Sequence, residues 1–217
     1  VIAATPRHSA QTIAFNEVGR QAIRGDEAWN QGGYDTENGP THGLGVARMM
    51  AHITYLSDLG MEKKFRQKPD CKQNEDLTKV VNSYLGYQAQ KFIDRFDANT
   101  YLKLTSALDR FDLVGKRGLD DSLKGVLSKV LVIAFSSDWL YTPAQNQLVT
   151  ESLHRLGKEA SYLEIDHTHG HDSFLIGSED FLRAVRVFFS GMDKKEEREQ
   201  NLGRFRQVSS RYDVKKE

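Results

Sequence analysis

Chemistry is concentrated in one stretch of this chain, Asp166-His167-Thr168-His169-Gly170-His171-Asp172-Ser173-Phe174-Leu175. It lies between a short apolar run, Tyr162-Leu163-Glu164-Ile165, and a segment whose apolar face is Phe181, Leu182, Val185, Phe188 and Phe189. The run reads as a buried strand and the segment as an amphipathic helix. The histidines therefore fall just past a strand end, where open α/β sheets carry their chemistry. Upstream, a second apolar run, Val130 to Phe135, leads straight into Ser136-Ser137-Asp138-Trp139. Adjacent parallel strands lie about 5 Å apart, so Asp138 is within reach of a histidine at the next strand end. A carboxylate on one ring nitrogen fixes the tautomer of an imidazole and stabilises its charged form, as a general base requires. Asp138 and His171 have the chain order of the acid and base of a nucleophile–acid–base triad.

Each residue also has a plainer reading. His171 can be loop filler beside Gly170, and Asp138 a turn or N-cap aspartate ahead of Pro143. Three histidines in five residues suggest a metal, but a zinc site needs a further ligand cluster at suitable spacing. The sequence offers none, and no metal is expected. The nucleophile is missing: Gly-x-Ser-x-Gly occurs nowhere in the 217 residues. Ser136, Ser137 and Ser173 read as turn or capping residues. Cys71, in the polar run Lys68 to Asn74, reads as an incidental surface cysteine, with nothing nearby to activate its thiol.

The elements that must position these groups follow from periodicity. Val1-Ile2-Ala3-Ala4-Thr5-Pro6 is strand-like, and Ser9 starts a helix carrying Ile13, Phe15, Val18 and Ile23 that stops near Gly25. Asn30 to Gly45 is a loop by composition, with Thr41 placed to cap a helix through Ala47, Arg48, Met50, Ile53 and Tyr55. Asp76 to Phe96 carries a long helical stripe, and a further helix opens at Asn99. About a hundred residues of helix thus separate two strands, too many for an ordinary crossover. From Val130 the pattern alternates strand, helix (Leu148 to Leu156), strand and helix (Asp180 to Ser190), as in a parallel sheet. The expected organisation is α/β, with a sheet-core strand and helix at 1–25, an inserted helical lid at 26–125 and core again at 126–191. Residues 192–217 are a charged tail. Thirty basic against thirty acidic residues give a net charge of +0, so a nucleic-acid partner is not expected. The lone cysteine excludes an internal disulfide and fits a reducing compartment. No run approaches the ~20 apolar residues of a membrane span, and Val1-Ile2-Ala3-Ala4 lacks the pattern of a signal peptide.

Several short motifs carry a resemblance. Tyr84-Leu85-Gly86-Tyr87-Gln88, Lys91-Phe92, Arg95 to Leu102, Ala107-Leu108-Asp109 and Phe111-Asp112 resemble the homoserine O-acetyltransferase family. So do Gly43-Leu44 with Ala47-Arg48-Met49, Ser136 to Leu140, and Gly170-His171-Asp172-Ser173-Phe174-Leu175. The resemblance runs from about Val1 to Gly191 and implies an α/β-hydrolase core with a helical lid, acting as a serine-dependent acyltransferase. It implies that the chain is the C-terminal portion of such an enzyme, with the nucleophile elbow and the N-terminal portion upstream. By the same match Asp138 is the triad acid and His171 the base. By that match too Arg48 binds the substrate carboxylate and Asp172 its amine, chemistry that a guanidinium fork and an aspartate beside the base suit. Arg48 and Asp172 read alone are a helix-surface arginine and an N-cap. The implied reaction moves an acetyl group from acetyl-CoA, a co-substrate rather than a bound cofactor, to L-homoserine. It would serve methionine biosynthesis in the cytoplasm, in a homodimer joined through the lid. A succinyl donor, a serine acceptor, an esterase on the same scaffold and a non-catalytic fragment are the rival readings. One departure is Tyr55-Leu56-Ser57, where the family commonly has arginine in the middle position.

Overall fold

The structure, a computed structural model, describes residues 1–35, 37–66 and 76–191. Cys71 and the charged segment 192–217 lie outside the described residues. The chain forms two compact units, one from Val1 to Ile176 and one beginning at Gly177.

In the first unit, strand β1 (Val130–Phe135) pairs in parallel with β2 (Ala160–Ile165), Val130 opposite Ala160 through Phe135 opposite Ile165. On its other side β1 meets the N-terminal run, expected as a full strand but making a single parallel bridge, Ile2 to Ile133. Ile133 N–H donates to Val1 O at 2.9 Å and Ala3 N–H donates back to Ile133 O at 2.8 Å. Flanked on both sides, β1 buries Val132, Ile133, Ala134 and Phe135 to 1% exposure or less, which is why it reads as a continuous apolar run. Helix α7 links the two strands and is longer than its apolar stripe suggested, spanning Pro143–Arg155. Thr142 caps it through a capping box with Gln145, and Pro143 is its first residue.

The helical part opens with α1 (Ala10–Arg24), capped by Ser9 and ended at Gly25 as expected. Helix α2 (Thr41–Tyr55) follows a 3-10 turn at Glu27–Gly32. Thr41 is the first helical residue rather than the cap, which is Pro40 with no side-chain bond. Then come α3 (Asp58–Phe65), α4 (Leu77–Ile93), α5 (Ala98–Arg110) and α6 (Leu119–Leu123). The two short helices α3 and α6 are not visible in the periodicity, and α5 is capped by Asp97 rather than opened by Asn99. Ile23, Leu44, Ala47, Phe92, Ala98, Tyr101 and Leu102 form one buried cluster drawing on α1, α2, α4 and α5. Helices α1 and α2 meet so closely that a Cβ on Gly43 would lie 2.4 Å from Ala22 O and 2.8 Å from Ile23 Cα. After β2 come a 3-10 turn at Gly170–Asp172 and a short helix α8 (Ser173–Ile176), neither anticipated. The second unit contains helix α9, residues 179–191. Among the described residues no helix is long and apolar enough to cross a membrane.

Gly43→Ala places a methyl group against backbone that cannot rotate away. It is expected to lower unfolding free energy by about 1–3 kcal/mol in urea titrations; a change below ~0.5 kcal/mol would show that the α1–α2 contact relaxes freely.

Candidate active site

Asp138 sits three residues beyond the end of β1. Its N–H donates to Phe135 O at 3.0 Å, closing a turn that points the side chain inward, where it is 2% exposed. One carboxylate oxygen, Oδ1, accepts the backbone N–H groups of Leu140 at 3.0 Å and Tyr141 at 2.9 Å. The other, Oδ2, lies 2.8 Å from His171 Nδ1. Asp138 is therefore a turn aspartate and an imidazole partner at once, and not the cap of α7, which is Thr142.

The imidazole is brought there by the loop after β2. Gly170 has φ +66°, and a Cβ on it would lie 2.7 Å from Leu56 C, 2.7 Å from Ser57 N and 2.8 Å from Tyr55 O. Only glycine tolerates both the left-handed backbone and the approach to the α2–α3 junction. Ser57 Oγ donates to Thr168 O, Gly60 N–H donates to Ser57 Oγ at 2.9 Å, and Trp139 Nε1–H donates to Leu56 O at 2.7 Å. Lid and sheet are thus joined through the residues that flank Asp138 and His171. The His171 ring is walled by Tyr141 at 5.0 Å between centroids, Phe174 at 5.5 Å and Tyr55 at 6.0 Å. Its Nε2 makes no hydrogen bond among the described residues.

The serines beside the pair are committed to other atoms. Ser136 Oγ donates to Asp166 Oδ1 at 2.7 Å and accepts His167 N–H at 3.2 Å. Ser137 Oγ donates to His167 O and accepts Gly170 N–H at 2.9 Å, while Ser173, fully buried, donates to Gly170 O at 2.6 Å. The His167 and His169 rings lie against one another, tilted by 34° with centroids 4.7 Å apart. No group of three metal-ligating side chains occurs among the described residues.

His171 and Asp172 line a cavity of about 290 Å³, together with Tyr55, Tyr101, Tyr141, Thr12, Asn16 and His8. That is the small end of the range for ligand pockets, roughly 300–1,000 Å³. Asp172 also borders a second space of about 420 Å³ between His52, Leu56, Lys63, Lys64, Tyr84 and His169. Burial, abetted by the Asp138 charge, raises the Asp172 carboxyl above its ordinary value although His171 and Arg48 pull it down. The Asp172 carboxylate makes no hydrogen bond or ion pair among the described residues. Arg48 lies along α2 with its guanidinium carbon 5.2 Å from the centre of the Phe92 ring and 5.5 Å from that of Tyr55. Its Nε is buried without a hydrogen-bond partner, and Nη2 is 3.4 Å from His52 Nδ1. His52, absent from the sequence reading, holds Tyr84 Oη at 2.7 Å through Nε2. Burial drives it down to about 4, with Arg48 and Lys64 adding to the effect, so it is neutral near pH 7.

A parallel sheet with a carboxylate at one strand end, an imidazole beyond the next and a helical insertion above them belongs to the α/β-hydrolase class, and this chain has that fold. Its backbone superposes on homoserine O-acetyltransferase from Bacillus anthracis, with TM-score 0.68 and 24% identity over 79% of this chain and 47% of that one. It also superposes on esterase E22, with TM-score 0.73 and 21% identity over 86% and 52%. At such identities the likeness speaks for the fold alone. No family model matches the chain. Among sequence relatives, homoserine O-acetyltransferase of Leptospira biflexa is 48% identical over 194 residues, 89% of this chain and 51% of that protein. Homoserine O-succinyltransferase of Neisseria gonorrhoeae is 43% identical over 202 residues, 89% and 53%. Over 89% of its length the chain is thus similar to homoserine O-acyltransferases. It spans about half the length of the curated relatives it matches.

His52 has a measurable signature. The unfolded chain protonates this residue below its ordinary 6.5, whereas the folded one holds it neutral down to about 4. The unfolded state therefore binds the extra proton, and stability present above pH 6.5 drains away as pH falls towards 4. Urea titrations of His52→Leu are expected to fall less steeply than wild type across that window; equal slopes would remove His52 from the acid response.

Proposed function

We propose that this chain supplies the acid–base and acceptor-binding parts of a homoserine O-acyltransferase, with acetyl-CoA as donor and a nucleophilic serine outside these residues. The observation that carries the reading is the His171–Asp138 contact of 2.8 Å, with the second carboxylate oxygen held by two backbone amides. An imidazole so held keeps its proton on Nδ1 and presents Nε2 as a base.

The reaction runs in two halves. His171 takes the proton of the serine hydroxyl as it attacks the thioester, then returns that proton to the departing thiolate. Homoserine next gives its hydroxyl proton to His171 while the oxygen attacks the acyl-serine, and serine recovers the proton. Asp138 keeps the ring in register and balances its charge in both halves. Arg48, with a buried and unpartnered Nε, suits the carboxylate of the acceptor. Asp172, raised by burial, suits the acceptor ammonium, which would restore it to the charged form. The aromatic walls around His171 favour transfer to a bound hydroxyl over hydrolysis. The names of the relatives support acylation of homoserine and include both acetyl and succinyl forms, so the acetyl donor is the narrower part of the proposal. A homodimer through the lid completes it, supported by the exposed apolar side chains of Ile53, Tyr87 and Leu104 on α2, α4 and α5.

Steady-state kinetics of the full-length protein with acetyl-CoA or succinyl-CoA against homoserine or serine tests the substrates; faster turnover with any other pair would displace the one proposed. His171→Ala is expected to abolish the burst of free CoA that reports acyl-enzyme formation, and a normal burst would end its role as base. Asp138→Asn is expected to lower the rate on the order of 10⁴-fold, and a loss below tenfold would leave Asp138 only its turn. Arg48→Ala is expected to raise the amino-acid KM and to spare the acyl-CoA half-reaction, because no carboxylate is engaged there.

A further inference from the structure

One buried polar network in the cavity takes no part in the chemistry above. His8, just before α1, has Nδ1 2.9 Å from Asp109 Oδ1 and Nε2 2.8 Å from Tyr141 Oη. Asp109, near the end of α5, also accepts from Asn16 Nδ2 at 2.7 Å and from Arg20 Nη1 at 2.6 Å. Although burial opposes it, the hydrogen bonds from His8, Asn16 and Arg20 hold the Asp109 carboxyl below its ordinary value. A charged Asp109 requires a proton of His8 on Nδ1, and Nε2 shares a hydrogen bond with the Tyr141 hydroxyl.

Tyr141, His8 and Asp109 thus form a hydroxyl–imidazole–carboxylate row, the chemical order of a triad. Burial pushes the phenol up to about 12, so Tyr141 keeps its proton near neutral pH. What the row does is hold Tyr141, and Tyr141 is fastened at every other point as well. Its N–H donates to Asp138 Oδ1, its carbonyl accepts Asn146 Nδ2 at 3.2 Å, and its ring meets the His171 ring edge-on at 5.0 Å and 81°.

We propose that His8 and Asp109 are positioning residues for the Asp138–His171 pair, acting through Tyr141. The tether fixes the ring that walls one side of His171 and the amide that anchors one oxygen of Asp138. This rests on the acyl-transfer reading for its substrates but not for its test.

The test uses the full-length protein and two reactions: acyl transfer from acetyl-CoA to homoserine, and cleavage of p-nitrophenyl acetate, which needs the same base and no amino acid. Tyr141→Phe keeps the ring and removes the tether; His8→Leu removes it from the other side. Each is expected to lower kcat per active site about tenfold in both reactions with KM unchanged, since small misplacements of catalytic groups have costs of this order. Because both act through one bond, the double variant is expected to be no slower than either single one. His8→Gln, whose amide can reach Tyr141 Oη, is expected to recover most of the rate. Retention of more than half the wild-type kcat by Tyr141→Phe, or multiplicative losses in the double variant, would overturn the proposal. If Tyr141→Phe fails to fold, His8→Leu against His8→Gln decides alone, equal rates counting against it. A wild-type protein that cleaves the ester but moves no acyl group to homoserine refutes the acceptor, and the ester comparison still judges the tether. A wild-type protein active in neither reaction refutes both.

Discussion

The structure hangs on a missing side chain. Gly170 lies against the backbone of Tyr55, Leu56 and Ser57 at distances no Cβ could share, and with a φ of +66°. That contact sets how the loop after β2 passes beneath the α2–α3 junction. His171 is the next residue, so the backbone constraint places it and the hydrogen bond to Asp138 sets its ring. Ser57, Gly60 and Trp139 then add polar links at the same junction, each to a main-chain carbonyl or a hydroxyl. A site built this way inherits the stiffness of packed backbone, and directional chemistry needs that stiffness.

Two kinds of charge share the surroundings of the cavity. Asp109 and Arg20 are matched: the carboxylate takes bonds from His8, Asn16 and Arg20, and the guanidinium takes Glu17 as well. Arg48 and Asp172 are not matched, the former lying against Phe92 and Tyr55 and the latter open to two cavities. Buried groups normally find partners. The Asp172 carboxylate and the Arg48 Nε forgo them, whereas the satisfied cluster serves to hold shape. His52 belongs to the holding kind, neutral beside Arg48 and bonded to Tyr84.

Much of this was legible in the sequence, for identifiable reasons. The β1 run of apolar residues needs no partner to be recognised, because a strand buried on both faces has nowhere to put a polar side chain. Asp138 and His171 follow from it, since strand ends in a parallel sheet come together. The N-terminal strand was harder: with only Ile2 bridged, its pairing lies in a few backbone bonds that residue types do not announce. The short helices α3 and α6 span 8 and 5 residues, too few for a stripe to repeat. His8, Asp109 and Tyr141 escaped altogether. Their partners lie 101 and 133 positions apart in the chain, and each residue alone is an ordinary polar side chain beside a helix. Arg48 and Asp172 stood out only through the motifs around them, because what distinguishes them is what they do not touch.

Leu56, read from the sequence as a departure from the homoserine O-acetyltransferase pattern, has two surroundings. Trp139 holds position 56 through its carbonyl oxygen, while Leu56 also lines the larger cavity beside Lys63 and Lys64. The anchoring and the lining are therefore separable at one residue. Exchanging the side chain redecorates a wall without loosening the bolt behind it. Position 56 is thus a place where a lineage could retune what the larger cavity admits and leave the neighbouring acid and base untouched.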